Sequence, residues 1–141
     1  MTTFTTYANG TSTVNTAVAA ASFPAVTTLE QTFDATKRVL AATDVVELIS
    51  IPAGTHVLNV YVEVLEGEAT AAQTLNVGDG VDPDGYVAAA TVATTGARVL
   101  GAGAIVGKLY SAADTIDIAV PATMAYASLK VRVVAMVTML G

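Results

Sequence analysis

The stretch from Leu129 to Met139 limits the fold more than any other part of this sequence. Leu129, Val131, Val133, Ala135, Val137 and Met139 occupy alternate positions, and Ser128, Lys130, Arg132 and Thr138 fall on the other parity. A β-strand turns successive side chains to opposite faces, so this spacing gives one apolar face and one that carries the charges. Wound as a helix, the same residues would set Lys130 and Arg132 among the valines. The segment is therefore expected to be a long strand with one face in a core.

The same period recurs upstream. From His56 to Leu65, Leu58, Val60, Val62 and Val64 are expected to face inward, with Asn59, Tyr61 and Glu63 outward. Ile116, Ile118 and Val120 alternate with Thr115 and Asp117, and Leu75 and Val77 alternate with Thr74 and Asn76 up to Gly78. Val45 to Ile51 is apolar on both parities except at Glu47 and Ser50, as in a strand covered on both sides. Shorter strands are expected at Leu29–Phe33, Tyr86–Ala90 and Ile105–Tyr110. Turn residues stand between them, at Pro52-Ala53-Gly54, Glu66-Gly67-Glu68 and Gly78 to Gly85. Val87 to Ala104 is soft, rich in Ala, Thr and Gly, and fixes no firm assignment. About eight short strands with no amphipathic helix predict an all-β chain, a jelly-roll-like β-sandwich.

Residues 1–25 differ from the rest. They carry no charged side chain and are mostly Thr, Ala and small polar residues, with breaker signals at Asn9-Gly10 and Phe23-Pro24. The β-branched Val14, Thr16 and Val18 weaken a helix there. Disordered tails are usually more charged. The segment reads as an extended N-terminal arm lying against protein, followed by a single sandwich domain over 26–141.

Composition narrows the function classes. Only 13% of the 141 residues are charged against 53% hydrophobic, a surface hard to keep monomeric, so an oligomer or a docked protein is expected. Cysteine is absent, which removes disulfides and thiolate metal sites. The net charge is −6, and no Lys or Arg lies between Arg38 and Arg98, where eight carboxylates fall. That stretch repels phosphate, so nucleic acid is not an expected partner. Charges interrupt every apolar run before the roughly 18 residues that a membrane helix needs, and no signal-peptide pattern opens the chain. A soluble, unprocessed protein is expected.

Groups able to do chemistry are few. The one histidine, His56, follows a turn at a strand start with no carboxylate or serine beside it in sequence, and reads as a strand-edge residue. The acids cluster in turns rather than as a spaced pair across a cleft. The sharpest local feature is the loop Asp79-Gly80-Val81-Asp82-Pro83-Asp84-Gly85. Carboxylates at Asp79, Asp82 and Asp84 are the ligand type that calcium takes, but the helix–loop–helix spacing and its closing Glu are missing, and an acidic turn is expected. Gly101-Ala102-Gly103 lacks the Lys-Ser/Thr ending of a phosphate loop. Lys130 and Arg132 read as solvated outward charges. No catalytic, cofactor-binding or metal-ligating residue is expected, and the chain reads as non-enzymatic.

One longer pattern resembles a known family. Asp44-Val45-Val46-Glu47-Leu48-Ile49-Ser50-Ile51-Pro52-Ala53-Gly54-Thr55, then Val57 to Glu63, then Leu75-Asn76-Val77-Gly78-Asp79-Gly80 closing at Asp84-Gly85-Tyr86, is similar to the head decoration (cement) proteins of tailed bacteriophages. Tyr110 to Asp117 and the closing strand extend the similarity over about Phe33 to Thr138. The resemblance implies a β-sandwich on the capsid exterior, made in the host cytoplasm. Its implied partners are the major capsid protein and further copies of itself, often as a homotrimer. It carries over no catalytic residue. Other phage roles, as head fibre or tail-associated component, remain open beside it. So does a carbohydrate-binding module, which usually shows aromatics for sugar stacking, and this chain has no Trp, five Tyr and three Phe.

Overall fold

A computed structural model describes residues 3–5, 25–69 and 73–139. Its strands are β1 (Thr3–Thr5), β2 (Val26–Asp34), β3 (Val45–Ile51), β4 (Thr55–Glu66), β5 (Thr74–Gly78), β6 (Val87–Thr91), β7 (Arg98–Leu100), β8 (Leu109–Tyr110), β9 (Asp114–Ala119) and β10 (Lys130–Met139). No helix occurs among the described residues. The first sheet has the order β1-β3-β9-β5-β6, and the second β2-β10-β4-β7, with β8 also on β4. All pairings are antiparallel except β1 on β3. Apart from β1 and β8, the strands form two four-stranded sheets, between which the chain crosses repeatedly. That is the arrangement of a jelly roll, as the periodicity predicts.

The sheets close on each other through their alternating apolar faces. Val131, Val133, Ala135 and Val137 of β10 and Val60, Val62 and Val64 of β4 meet Val46, Ile49, Ile51, Ile116 and Ile118 of the opposite sheet in one buried cluster. Each Val or Ile side chain so taken from water contributes roughly 1.5–3 kcal/mol. Leu29 and Phe33 bring β2 into the same core, and Tyr86 and Tyr126 are fully buried at its margins.

Several expectations change at bulges. Leu58 was expected to face inward, but Val57 is buried and Leu58 only half so. Val137 pairs with Val57 and Met136 with Asn59, so Leu58 is the extra residue of a bulge, and the inward parity shifts by one across it. The run Leu48-Ile49 is buried at both positions for the same reason: the register between β3 and β9 slips between Glu47 and Ile49. The other parity of β3 (Val45, Glu47, Ser50) is half-buried rather than fully covered. A third slip bows β6 opposite Asn76, where Ala89 takes φ 54° and donates its N–H to Asn76 Oδ1 at 2.8 Å.

The expected strand Ile105–Tyr110 shrinks to β8. Ile105 donates its N–H to Gly85 O, and Gly107 takes φ 88°, so 104–107 is a turn pinned to the acidic loop. Part of the soft stretch, 98–100, becomes β7 instead. The turn at Pro52-Ala53-Gly54 holds, with Gly54 at φ 85°. The arm expected over residues 1–25 lies outside the described residues apart from Ala25 and from Thr3–Thr5, which pair in parallel with Val45–Glu47.

Candidate functional site

The acidic loop is built as a closed knot. Gly78 ends β5 where a Cβ would run into the Asp82 carbonyl oxygen, so only glycine lets the loop fold back so tightly. Asp79, 1% exposed, then turns inward. Its Oδ1 accepts the N–H groups of Val81 (2.9 Å) and Asp82 (2.8 Å). Its Oδ2 accepts from Lys108 Nζ (2.7 Å) and Tyr110 OH (2.9 Å). Tyr86 OH lies 2.7 Å from Tyr110 OH, and the Lys108 ammonium sits 4.5 Å from the centre of the Tyr110 ring. Burial opposes ionisation of Asp79, but Lys108, the two amides and Tyr110 outweigh it and hold its carboxyl below the ordinary value. Burial raises both phenols, Tyr86 to about 12.

The three loop carboxylates thus part company. Asp79 is spent on Lys108 and Tyr110, while Asp82 and Asp84 stay at the rim. Desolvation and the neighbouring Asp84 and Asp79 raise the pKa of Asp82. Among the described residues no three His, Cys, Asp or Glu side chains come together to hold a metal ion.

Beside the knot, the outer face of the first sheet carries a groove of about 300 Å³ lined by Glu47, Asp79, Asp114, Thr115, Asp117 and neighbours. Asp117, expected to be an outward polar residue, is only 4% exposed. It stands directly across from Glu47 on β3 and from Gly78 on β5. Burial pushes its carboxyl up to about 7; a 2.6 Å bond from Thr115 Oγ1 works the other way, and the charges of Glu47, Asp114 and Asp79 add to the rise. Like charges directly opposed across a sheet repel, so one of the pair holds its proton most easily.

The outer face of the second sheet has different chemistry. Arg132 Nη2 donates to Glu63 Oε1 at 2.9 Å, and Arg98 Nε lies 3.0 Å from Glu63 Oε2. Arg132 is therefore not the free solvated charge expected, but one rung of an ion-pair ladder running from β10 to β4 to β7. His56 Nε2 lies 2.8 Å from Gly107 O, at the strand edge as expected.

One anchor carried no sequence signal. Glu68 was read as part of an acidic turn, yet it is buried, and its Oε2 accepts the N–H groups of Ala127, Ser128 and Leu129. It ties the β4 end to the entry of β10 across sixty residues, a distance over which local pattern is silent.

The two sheets thus form a jelly roll with an acidic groove on one outer face and an ion-pair ladder on the other. No protein-family model matches the chain, and no curated protein matches it. Solved structures do. A chain in the capsid of Ralstonia phage GP4 superposes with a TM-score of 0.75 at 16% identity, covering 99% of both chains. A chain of the cyanophage Pam1 capsid asymmetric unit gives 0.64 at 22% identity over 85% of this chain and 89% of that one. A chain in the acid-stable capsid of Helicobacter pylori bacteriophage KHP30 gives 0.59 at 14% identity, over 81% and 87%. The chain shares its fold with these capsid components.

Proposed function

We propose that this protein is a non-enzymatic structural component of a bacteriophage virion, docked on the capsid exterior as a decoration protein that reinforces contacts between major capsid subunits and associates with copies of itself. The observation that carries this reading is the superposition on a chain of the Ralstonia phage GP4 capsid, which covers 99% of both chains. The chemistry agrees with it. Asp79, Tyr86 and Tyr110, whose protonation is shifted by burial and hydrogen bonding, are linked to one another and to Lys108 and so hold the acidic loop in place. The chargeless first 25 residues suit packing against protein, where a charge would have to be desolvated.

The test is reconstitution. Phage particles assembled without this chain are mixed with the purified protein and sedimented. Saturable co-sedimentation and greater resistance of the particles to heat are expected. A protein that stays in the supernatant at every concentration overturns the reading.

A further inference from the structure

The two sheets finish their edges differently. In the first sheet, β1 covers the edge of β3, and β6 is five residues long and bowed at Ala89. Among the described residues the second sheet is open on both sides: β2, nine residues long, has only β10 beside it, and β7 and β8 have only β4. A long open edge is a template for another strand unless something blunts it.

Apolar side chains gather on these two edges. Of the five large hydrophobic residues most exposed among those described, three stand there: Val26 at 63%, Leu100 at 61% and Leu109 at 53%. All three point away from the core, because each lies in a cross-strand row of the outer face. One row runs Val26, Thr138, His56, Leu109; the next but one runs Glu30, Val134, Tyr61, Leu100.

The charges of that face also have an order. Glu30 on β2 attracts Arg132 on β10, Arg132 bonds Glu63 on β4, and Glu63 pairs with Arg98 on β7. Signs alternate across the sheet, beginning with a carboxylate at one open edge and ending with a guanidinium at the other. Since three successive pairings are antiparallel, β7 runs opposite to β2.

We propose that a second copy of this chain docks edge to edge, with β7 and β8 of one protomer lying antiparallel to β2 of the next, so that the sheet continues from copy to copy. Kept in the same rows, Leu109 covers Val26 of the neighbour, and Arg98 stands toward that neighbour's Glu30 as Arg132 does within the chain. The alternation of sign then passes through the junction unbroken. Copies that each carry −6 must meet where opposite signs face, and this junction provides that. A two-fold pairing of β2 with β2 would bring Glu30 toward Glu30 and leave Leu109 bare. The contact is head-to-tail, and it closes into a ring where the rotation at each junction divides a full turn. The inference deepens the self-association in the proposed function and rests on that part of it.

The test is sedimentation velocity on the full-length protein over a wide concentration range. The wild type is expected to form one closed oligomer. Glu30→Arg and Arg98→Glu should each raise the dissociation constant at least about tenfold, or about 1.4 kcal/mol. The double variant, and an equal mixture of the two single variants, should recover association. Arg98→Glu also loses its tie to Glu63, so a circular dichroism melt accompanies each variant, and Leu109→Lys attacks the same junction if Arg98→Glu does not fold. A monomeric wild type, or single reversals that associate as well as the wild type, overturns the proposal. A monomer that still decorates particles would sink the edge pairing and leave the capsid reading standing; a ring that ignores particles would do the opposite.

Discussion

At the scale of single residues, two buried carboxylates are pushed in opposite directions, Asp79 toward its charged form and Asp117 toward its neutral form. Asp79 keeps its charge because Lys108 and Tyr110 meet it 2.7 and 2.9 Å away. Lys108→Met would leave that charge buried with hydroxyl and amide donors alone, and a loss of about 3 kcal/mol is expected in denaturant titration. Asp117 behaves in the reverse sense. Its folded pKa of about 7 lies above the unfolded value near 3.9, so the native state binds the extra proton between them. Its contribution to stability is therefore full below about pH 4, declines as the pH rises toward 7, and is flat above that, with a total of at most about 4 kcal/mol. Melting the wild type and Asp117→Asn at several pH values checks the sign: the variant should gain on the wild type from pH 4 to 7. A difference that stays constant with pH would mean Asp117 is ionised throughout. The sequence shows three acids in one loop, but Lys108 and Tyr110, the groups that separate Asp79 from Asp82 and Asp84, lie some thirty residues downstream. Glu68 was hidden for the same reason.

At the scale of elements, β10 was legible over Val131 to Val137, where it pairs on both sides and its inward positions meet the core. Met139, expected on the same face, is only half-buried, and Thr138, expected outward, is buried. Val133→Asp should cost several kcal/mol, since it buries a charge without a partner. Arg132→Ser should cost about 1 kcal/mol or less, because Glu63 keeps Arg98 when Arg132 is gone. Paired thermal melts decide it, and equal damage from the two would contradict the alternation. The strands β3, β4 and β6 were legible in existence but not in phase. A bulge is set by the strand opposite: Leu58 is surplus only because Met136 and Val137 take Asn59 and Val57 as neighbours. A single strand read alone carries no trace of that slip.

At the scale of the whole molecule, the class of architecture followed from counting alternating segments, whereas the strand order did not, because it depends on which segments meet across the sandwich. That order has a kinetic consequence. Strand β10 is the last in sequence, yet it stands at the centre of its sheet, between β2 and β4. Until residues 130–139 have left the ribosome, β2 and β4 have no strand between them and the second sheet lacks its centre. The first sheet has all its strands by residue 119, while the second closes only across a separation of about a hundred residues, between Val131 and Phe33. Contacts so far apart form slowly. Nascent chains shorter than this are expected to resist neither protease nor clumping, and protection should appear in one step when the final strand emerges and zips the second sheet shut.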